Sequence, residues 1–322
     1  MYRSLTQMRS SSPQTRGRLT QLERSSHSFY FERLFAVQMY LLASPDNPAK
    51  IPLFTERLLM EEQTTNNIEN LNVLITGAAR GLGAALAFGL SDLGSTVILC
   101  GRSLNALEVR ADQIETRTGR RPQSFAADLA DVSNLETAAR EITNAFPTID
   151  ILINNGAAWL GRRDTPYEAT EVVSVINSAL TGTFLLTQAL IPALLRSTRP
   201  DVVTIGSISG LHNVSLYTTS IPFYAAKHGQ AALADGFRQM FLGMPIRSIC
   251  IHPPWIQDIS PLDEQWDAVP ARTKAEMVTN RDILEAVMYA VTRPRHVTIA
   301  SLIIDSDVQG IDYRSHLTEK GQ

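Results

Sequence analysis

From residue 71 to about 305, short continuous apolar runs alternate with longer segments whose apolar positions recur at helical spacing. Uninterrupted apolar runs bounded by polar turns read as buried strands, and a recurrence near 3.6 residues reads as a helix packed by one face. On that basis strands are predicted near 72–77, 96–101, 124–128, 150–155, 201–206, 247–252 and 297–304. Helices are predicted near 81–93, 103–117, 131–146, 168–196, 222–242 and 281–292. Val97-Ile98-Leu99-Cys100 and Ile151-Leu152-Ile153 carry no polar alternation, the pattern of strands covered on both faces. The alternation predicts an α/β fold: one doubly wound, Rossmann-type parallel sheet of seven strands with helices on both faces.

The first 60 residues break this pattern. They hold Arg3, Arg9, Arg16 and Arg18 among many Ser and Thr, with no acid before Glu23. That composition suits a disordered leader ahead of a start near Met60, or an organelle transit peptide. The expected organisation is a leader over 1–60, one Rossmann-type domain over 61–312 with a substrate lid near 255–280, and a tail over 313–322. A chain of 322 residues with 44% hydrophobic content can bury a full core. Its net charge of −3 gives no electrostatic basis for nucleic acid or an anionic membrane as partner. Cys100 and Cys250 lie in apolar runs, which favours buried thiols over a disulfide. The six histidines show no metal-ligand spacing, no apolar run approaches bilayer length, and a cytoplasmic protein is expected.

Candidate chemistry sits at the strand ends. The first strand runs into Thr76-Gly77-Ala78-Ala79-Arg80-Gly81-Leu82-Gly83, a Gly-rich turn that opens a helix. Gly77 allows positive φ, Gly81 lets an anion approach the backbone, and Gly83 lets helix and strand pack closely. A helix N-terminus presents free N–H groups to that anion. Further along come Asp128-Leu129, Asn154-Asn155-Gly156, Asn177, Ser207 and Lys227, in that order.

Taken together, these elements resemble the short-chain dehydrogenase/reductase family over residues 71 to about 305. The resemblance implies hydride transfer between a nicotinamide and a small carbonyl or secondary alcohol, and a homodimer or homotetramer paired through the long helices. It places Asp128 and Leu129 near the adenine, and Asn154 to Gly156 beneath the adenosine ribose; Gly156 and Ala157 are exchanged relative to the family turn. Asp128 also reads as an ordinary turn residue. Strand two ends Gly101-Arg102-Ser103, without the acid that binds ribose hydroxyls in NAD-preferring members. Arg102 is either a solvated helix-start residue or, with Ser103 and Arg80, a 2′-phosphate clamp. Charge-assisted hydrogen bonds of about 1.5–3 kcal/mol each would then favour NADP(H).

By the same resemblance, Asn177, Ser207 and Lys227 belong to a catalytic set completed by a Tyr four residues before the Lys. Here that position is Phe223, and Tyr224 falls one residue late, about 100° round the helix. Three readings stay open. Tyr224 serves as the acid, with Pro222 setting the helix register. Alternatively Tyr217, His212, His252, Asp258 or water supplies the proton. In the third, the domain is a catalytically silent NADP(H)-binding regulator or scaffold. After strand six, Pro253-Pro254-Trp255-Ile256 replaces the family's Pro-Gly, leaving Pro253 and Ile256 as candidate cofactor contacts.

Overall fold

Val73, Leu74 and Ile75 are completely buried in β1 (Asn72–Thr76), and alternate side chains along a strand enter opposite layers. The chain continues through α1 (Gly81–Asp92), β2 (Thr96–Gly101), α2 (Leu104–Thr118), β3 (Gln123–Ala126), α3 (Val132–Ala145) and β4 (Ile151–Asn154). Next come α4 (Ala169–Ile176), a π-turn over Asn177–Gly182, α5 (Thr183–Leu194) and β5 (Asp201–Ile205). α6 (Ile221–Met240), β6 (Arg247–His252), α7 (Glu264–Ala268), α8 (Asn280–Val291) and β7 (Ser301–Ile303) complete it. This computed structural model describes residues 67–214, 219–308, 310 and 311, all within the unit Thr65–Gln322. The expected leader and tail, and Tyr217, lie outside the described residues.

All seven strands are parallel, in the order β3-β2-β1-β4-β5-β6-β7. Val73 and Ile75 pack in one layer with Leu86 of α1, Leu107 of α2 and Val287 of α8. Leu74 and Leu152 pack in the other with Ile142 of α3, Leu190 of α5 and Phe237 of α6. Because β1 is flanked by β2 and β4, the two halves of the sheet wind away from it in opposite directions. The C-terminal ends of β1 and β4 therefore border the crevice where open α/β sheets bind ligands.

Helix starts follow their polar caps. Ser103 accepts a hydrogen bond from Ala106 N, Asp131 from Ser133 N, and Thr279 forms a capping box with Asp282. β3 and β7 are shorter than the predicted 124–128 and 297–304, since Gln123, Ala126, Ser301 and Ile303 are exposed at the sheet's two edges. The predicted helix over 168–196 is interrupted at Asn177, where the wider π-turn begins. Taken whole, Ala169–Leu194 is 26 residues, long and apolar enough to cross a membrane, which corrects the expectation that no run reaches that length. Leu186, Leu190 and Leu194 from its second half are buried against the sheet.

Thr76 ties the crevice together. Its buried hydroxyl donates to Ile153 O at 3.3 Å and accepts from Asn155 N at 3.0 Å and Gly156 N at 2.9 Å. A Val has Thr's shape but no acceptor, so Thr76→Val strands two backbone donors. We expect a loss of about 2 kcal/mol in denaturant-induced unfolding, against less than about 0.5 kcal/mol for an exposed Thr→Val change elsewhere.

Candidate functional site

The strand–turn–helix unit at β1 and α1 forms one wall of a cavity of about 740 Å³. Gly77 has φ +68° and Gly81 φ +55°, so both take the left-handed backbone that the turn requires. A Cβ on Gly77 would come within 2.9 Å of Gly156 Cα, and one on Gly83 would run into the Gly77 carbonyl and reach 2.6 Å from Asn155 Nδ2. Arg80, which precedes α1, gives the helix no side-chain cap. The helix therefore presents uncapped N–H groups over bare backbone, a cradle that fits a phosphate group and that added side chains would fill.

Arg80, Leu82, Arg102, Ser103, Asp128 and Leu129 line the same cavity. Arg80, Arg102 and Ser103 are exposed at its rim, although the Ser103 hydroxyl also caps α2. Asp128 serves as a turn residue too, since its Oδ1 accepts from Ala130 N at 2.9 Å. Thr76, Asn154 and Pro253 stand behind the lining. Asn154 donates from Nδ2 to Thr187 Oγ1 at 2.9 Å, and the Pro253 carbonyl accepts from Ile208 N at 3.0 Å. Gly156 and Ile256 are in the lining.

The other end of the cavity is built on α6. Ser220 caps that helix by accepting from Phe223 N at 3.2 Å, with Pro222 in the first turn. This start puts Phe223 and Lys227, four residues apart, on one face toward the cavity, with the Lys227 ammonium 5.6 Å from the Phe223 ring centre. Lys227 Nζ donates to Ile205 O at 3.1 Å and to Gln230 Oε1 at 2.7 Å, which leaves one N–H for a ligand. Burial lowers its pKa to about 8.

Tyr224 departs from its expected catalytic place. The turn of the helix directs it out of the lining, where its hydroxyl donates to Val214 O at 3.4 Å and its ring packs 4.3 Å from that of His228. Asn177 and Ser207 are also outside the lining. The Asn177 Oδ1 accepts from Thr181 Oγ1 at 3.3 Å, and the Ser207 hydroxyl accepts from Ser209 N at 3.1 Å. Of the other proton-donor candidates, His252 is buried with Nδ1 3.1 Å from Ser207 O, burial lowering its pKa, and exposed His212 lies beside His228.

Asp258 does line the cavity, but at the glycine turn. Its Oδ2 would be 3.1 Å from a Cβ on Gly81, directly over the cradle. Partial burial raises its carboxyl pKa, while Arg80 pulls the other way. Sequence reasoning placed Asn155 only within the Asn154 to Gly156 turn and assigned no role to Ser174, Ser178 or Trp159, all in the lining. Asn155 carried a signal as the middle of the Asn-Asn-Gly turn; it donates from Nδ2 to Thr76 O at 3.0 Å. Ser178 and Trp159 carried none, since their places depend on the π-turn and on the loop after β4.

This fold and cradle agree with what the chain resembles. Residues 71–268 match the short chain dehydrogenase family model, and the chain belongs to that family of oxidoreductases. It is 27% identical over 231 residues to an uncharacterized oxidoreductase of Staphylococcus epidermidis, covering 72% of this chain and 95% of that one. An NADP-dependent 3-hydroxy acid dehydrogenase of Schizosaccharomyces pombe is 24% identical over 251 residues, covering 76% and 96%. Among solved structures, a short chain dehydrogenase of Shigella flexneri complexed with NADP superposes with TM-score 0.63 at 24% identity, covering 74% of this chain and 98% of that one. A short-chain type dehydrogenase/reductase of Mycobacterium marinum gives TM-score 0.65 at 21% identity, covering 76% and 98%. These two likenesses concern the fold.

Proposed function

We propose that this protein is an NADP(H)-dependent oxidoreductase that transfers a hydride between the nicotinamide and a small carbonyl or secondary alcohol. The observation that carries the reading is the single cavity joining the glycine cradle and Arg102 at one end to Lys227 at the other. No carboxylate terminates β2, and Arg102 and Arg80 stand at the rim where a 2′-phosphate needs cations. The NADP named for the Schizosaccharomyces pombe and Shigella flexneri relatives supports the same choice. When bound, the nicotinamide supplies the hydride.

In the carbonyl-reducing direction the new C–H bond takes that hydride, and the oxygen takes a proton. Phe223 occupies the position at which the family resemblance expects the acid, and a phenyl ring has no proton to give. Lys227 is the titratable group beside Phe223 in the lining. We assign the proton to its ammonium, whose pKa of about 8 suits donation near neutrality. Above that pH the amine is neutral, so carbonyl reduction should slow as pH rises through about 8.

Four substitutions test the reading. Arg102→Ala should weaken NADPH by about tenfold or more in fluorescence titrations and change NADH little; equal losses would remove the basis for NADP(H). Asp258→Asn should tighten NADPH by about fivefold, because a carboxylate over the cradle opposes the diphosphate by about 1 kcal/mol or more. Wild-type affinity should fall as pH rises through the raised carboxyl pKa, and the Asn variant should lose that limb. Phe223→Tyr should raise turnover of a carbonyl panel by about a hundredfold, while Tyr224→Phe changes it less than about twofold. Loss of most activity in Tyr224→Phe would return the acid to that residue.

A further inference from the structure

Three aromatic rings from three separate segments meet beside the Lys227 end of the cavity: Trp159 and Phe223 line it, and Trp255, outside the lining, packs on Trp159. Trp159, on the loop after β4, lies 4.5 Å from the Phe223 ring at 68° and 5.4 Å from the Trp255 ring at 78°, both edge to face. Phe223 is buried, but Trp159 and Trp255 are 49% and 48% exposed, an unusual cost for two indoles in contact unless a ligand covers them.

The arrangement is held by backbone. Gly161 pairs with Thr219 in an antiparallel bridge, and Ser220 N donates to Leu160 O at 3.2 Å, so the Trp159 loop is pinned to the entrance of α6. On the other side Gln257 N donates to Val278 O at 2.8 Å and its carbonyl accepts from Asn280 N, which fixes the segment after Trp255. The rings are thus placed before any ligand arrives, and little ordering entropy opposes binding.

The polar groups nearby are few and largely satisfied. Ser178 Oγ accepts from Ala158 N at 3.0 Å and donates to Val175 O at 3.3 Å. The guanidinium and carboxylate groups of the lining, Arg80, Arg102, Asp128 and Asp258, come from the cradle turn, the end of β2, the end of β3 and the loop over Gly81. Lys227 is the cation beside the rings, and two of its three N–H groups are already committed. Among the described lining residues, then, no guanidinium at this end is available to pair with a substrate carboxylate.

We infer that this end of the cavity is a subsite for an uncharged aryl ring, so that the substrate is an aryl ketone or an aryl-substituted secondary alcohol. Trp159 and Trp255 take the ring by stacking and edge contacts, while the Phe223 edge closes the inner side. This rests on the oxidoreductase reading above, but its test is separable from it.

Two of the three tryptophans of the chain stand at this subsite, and the third, Trp266, is buried beside Arg281. Intrinsic fluorescence of the full-length protein is therefore titrated with 1-phenylethanol and with 3-hydroxybutyrate, each with and without NADP⁺. The expected result is a saturable signal for 1-phenylethanol, at least about tenfold tighter than for 3-hydroxybutyrate. It should be lost in Trp159→Ala and weakened in Trp255→Ala, with Trp159→Leu as a second variant that keeps apolar bulk. Binding of NADP⁺ without saturable 1-phenylethanol binding, or tighter binding of 3-hydroxybutyrate, would overturn the aryl subsite and leave the cofactor reading intact. No NADP⁺ binding alongside saturable 1-phenylethanol binding would do the reverse.

Discussion

The close approach of α1 to the ends of β1 and β4 is the constraint on which the rest of this structure depends. Gly83 lies against the Gly77 carbonyl, Gly77 against Gly156, and Thr76 gathers the amides of Asn155 and Gly156. A side chain at any of these glycines would push the helix off the sheet. Without that contact the uncapped N–H groups of α1 would no longer face a bare turn, and the cavity would lose the wall on which an anion can rest.

The cavity is electrostatically divided. Arginines gather where a phosphate-bearing ligand would lie, with Asp258 as a counterweight over Gly81, whereas aromatic and aliphatic side chains and one partly desolvated lysine occupy the other end. On the proposed function, that division would let charge seat the cofactor while the less polar end receives the substrate. At that end the cost of burying the Lys227 ammonium is met by the Ile205 carbonyl and the Gln230 amide oxygen, and burial lowers its pKa.

Much of the fold was legible because parallel strands buried on both faces must be apolar throughout, and Val97 to Cys100 and Ile151 to Ile153 are. The glycine turn was legible for a similar reason: only bare backbone permits the packing it makes. The edge strands were overextended: β3 ends at Ala126 and β7 spans only Ser301–Ile303. The bilayer-length reading of Ala169–Leu194 also differed, because Glu171, Asn177 and Gln188 interrupt any continuous apolar run although the helix as a whole is apolar enough.

What the chain itself determined was the sheet, the cradle and the identity of the residues at the ends of β1, β2 and β4, since each follows from local backbone freedom or from continuous apolarity. It also determined that Phe223 and Tyr224 leave α6 about 100° apart, one on each side of the Lys227 direction. Only tertiary structure decided which of them faces the cavity. The Ser220 cap sets the start of α6, and the packing of that helix against the sheet turns Phe223 inward and Tyr224 toward Val214. The meeting of Trp159 with Trp255 was likewise decided in three dimensions, since their loops lie 96 residues apart in the chain and are joined only through strand order and backbone bridges.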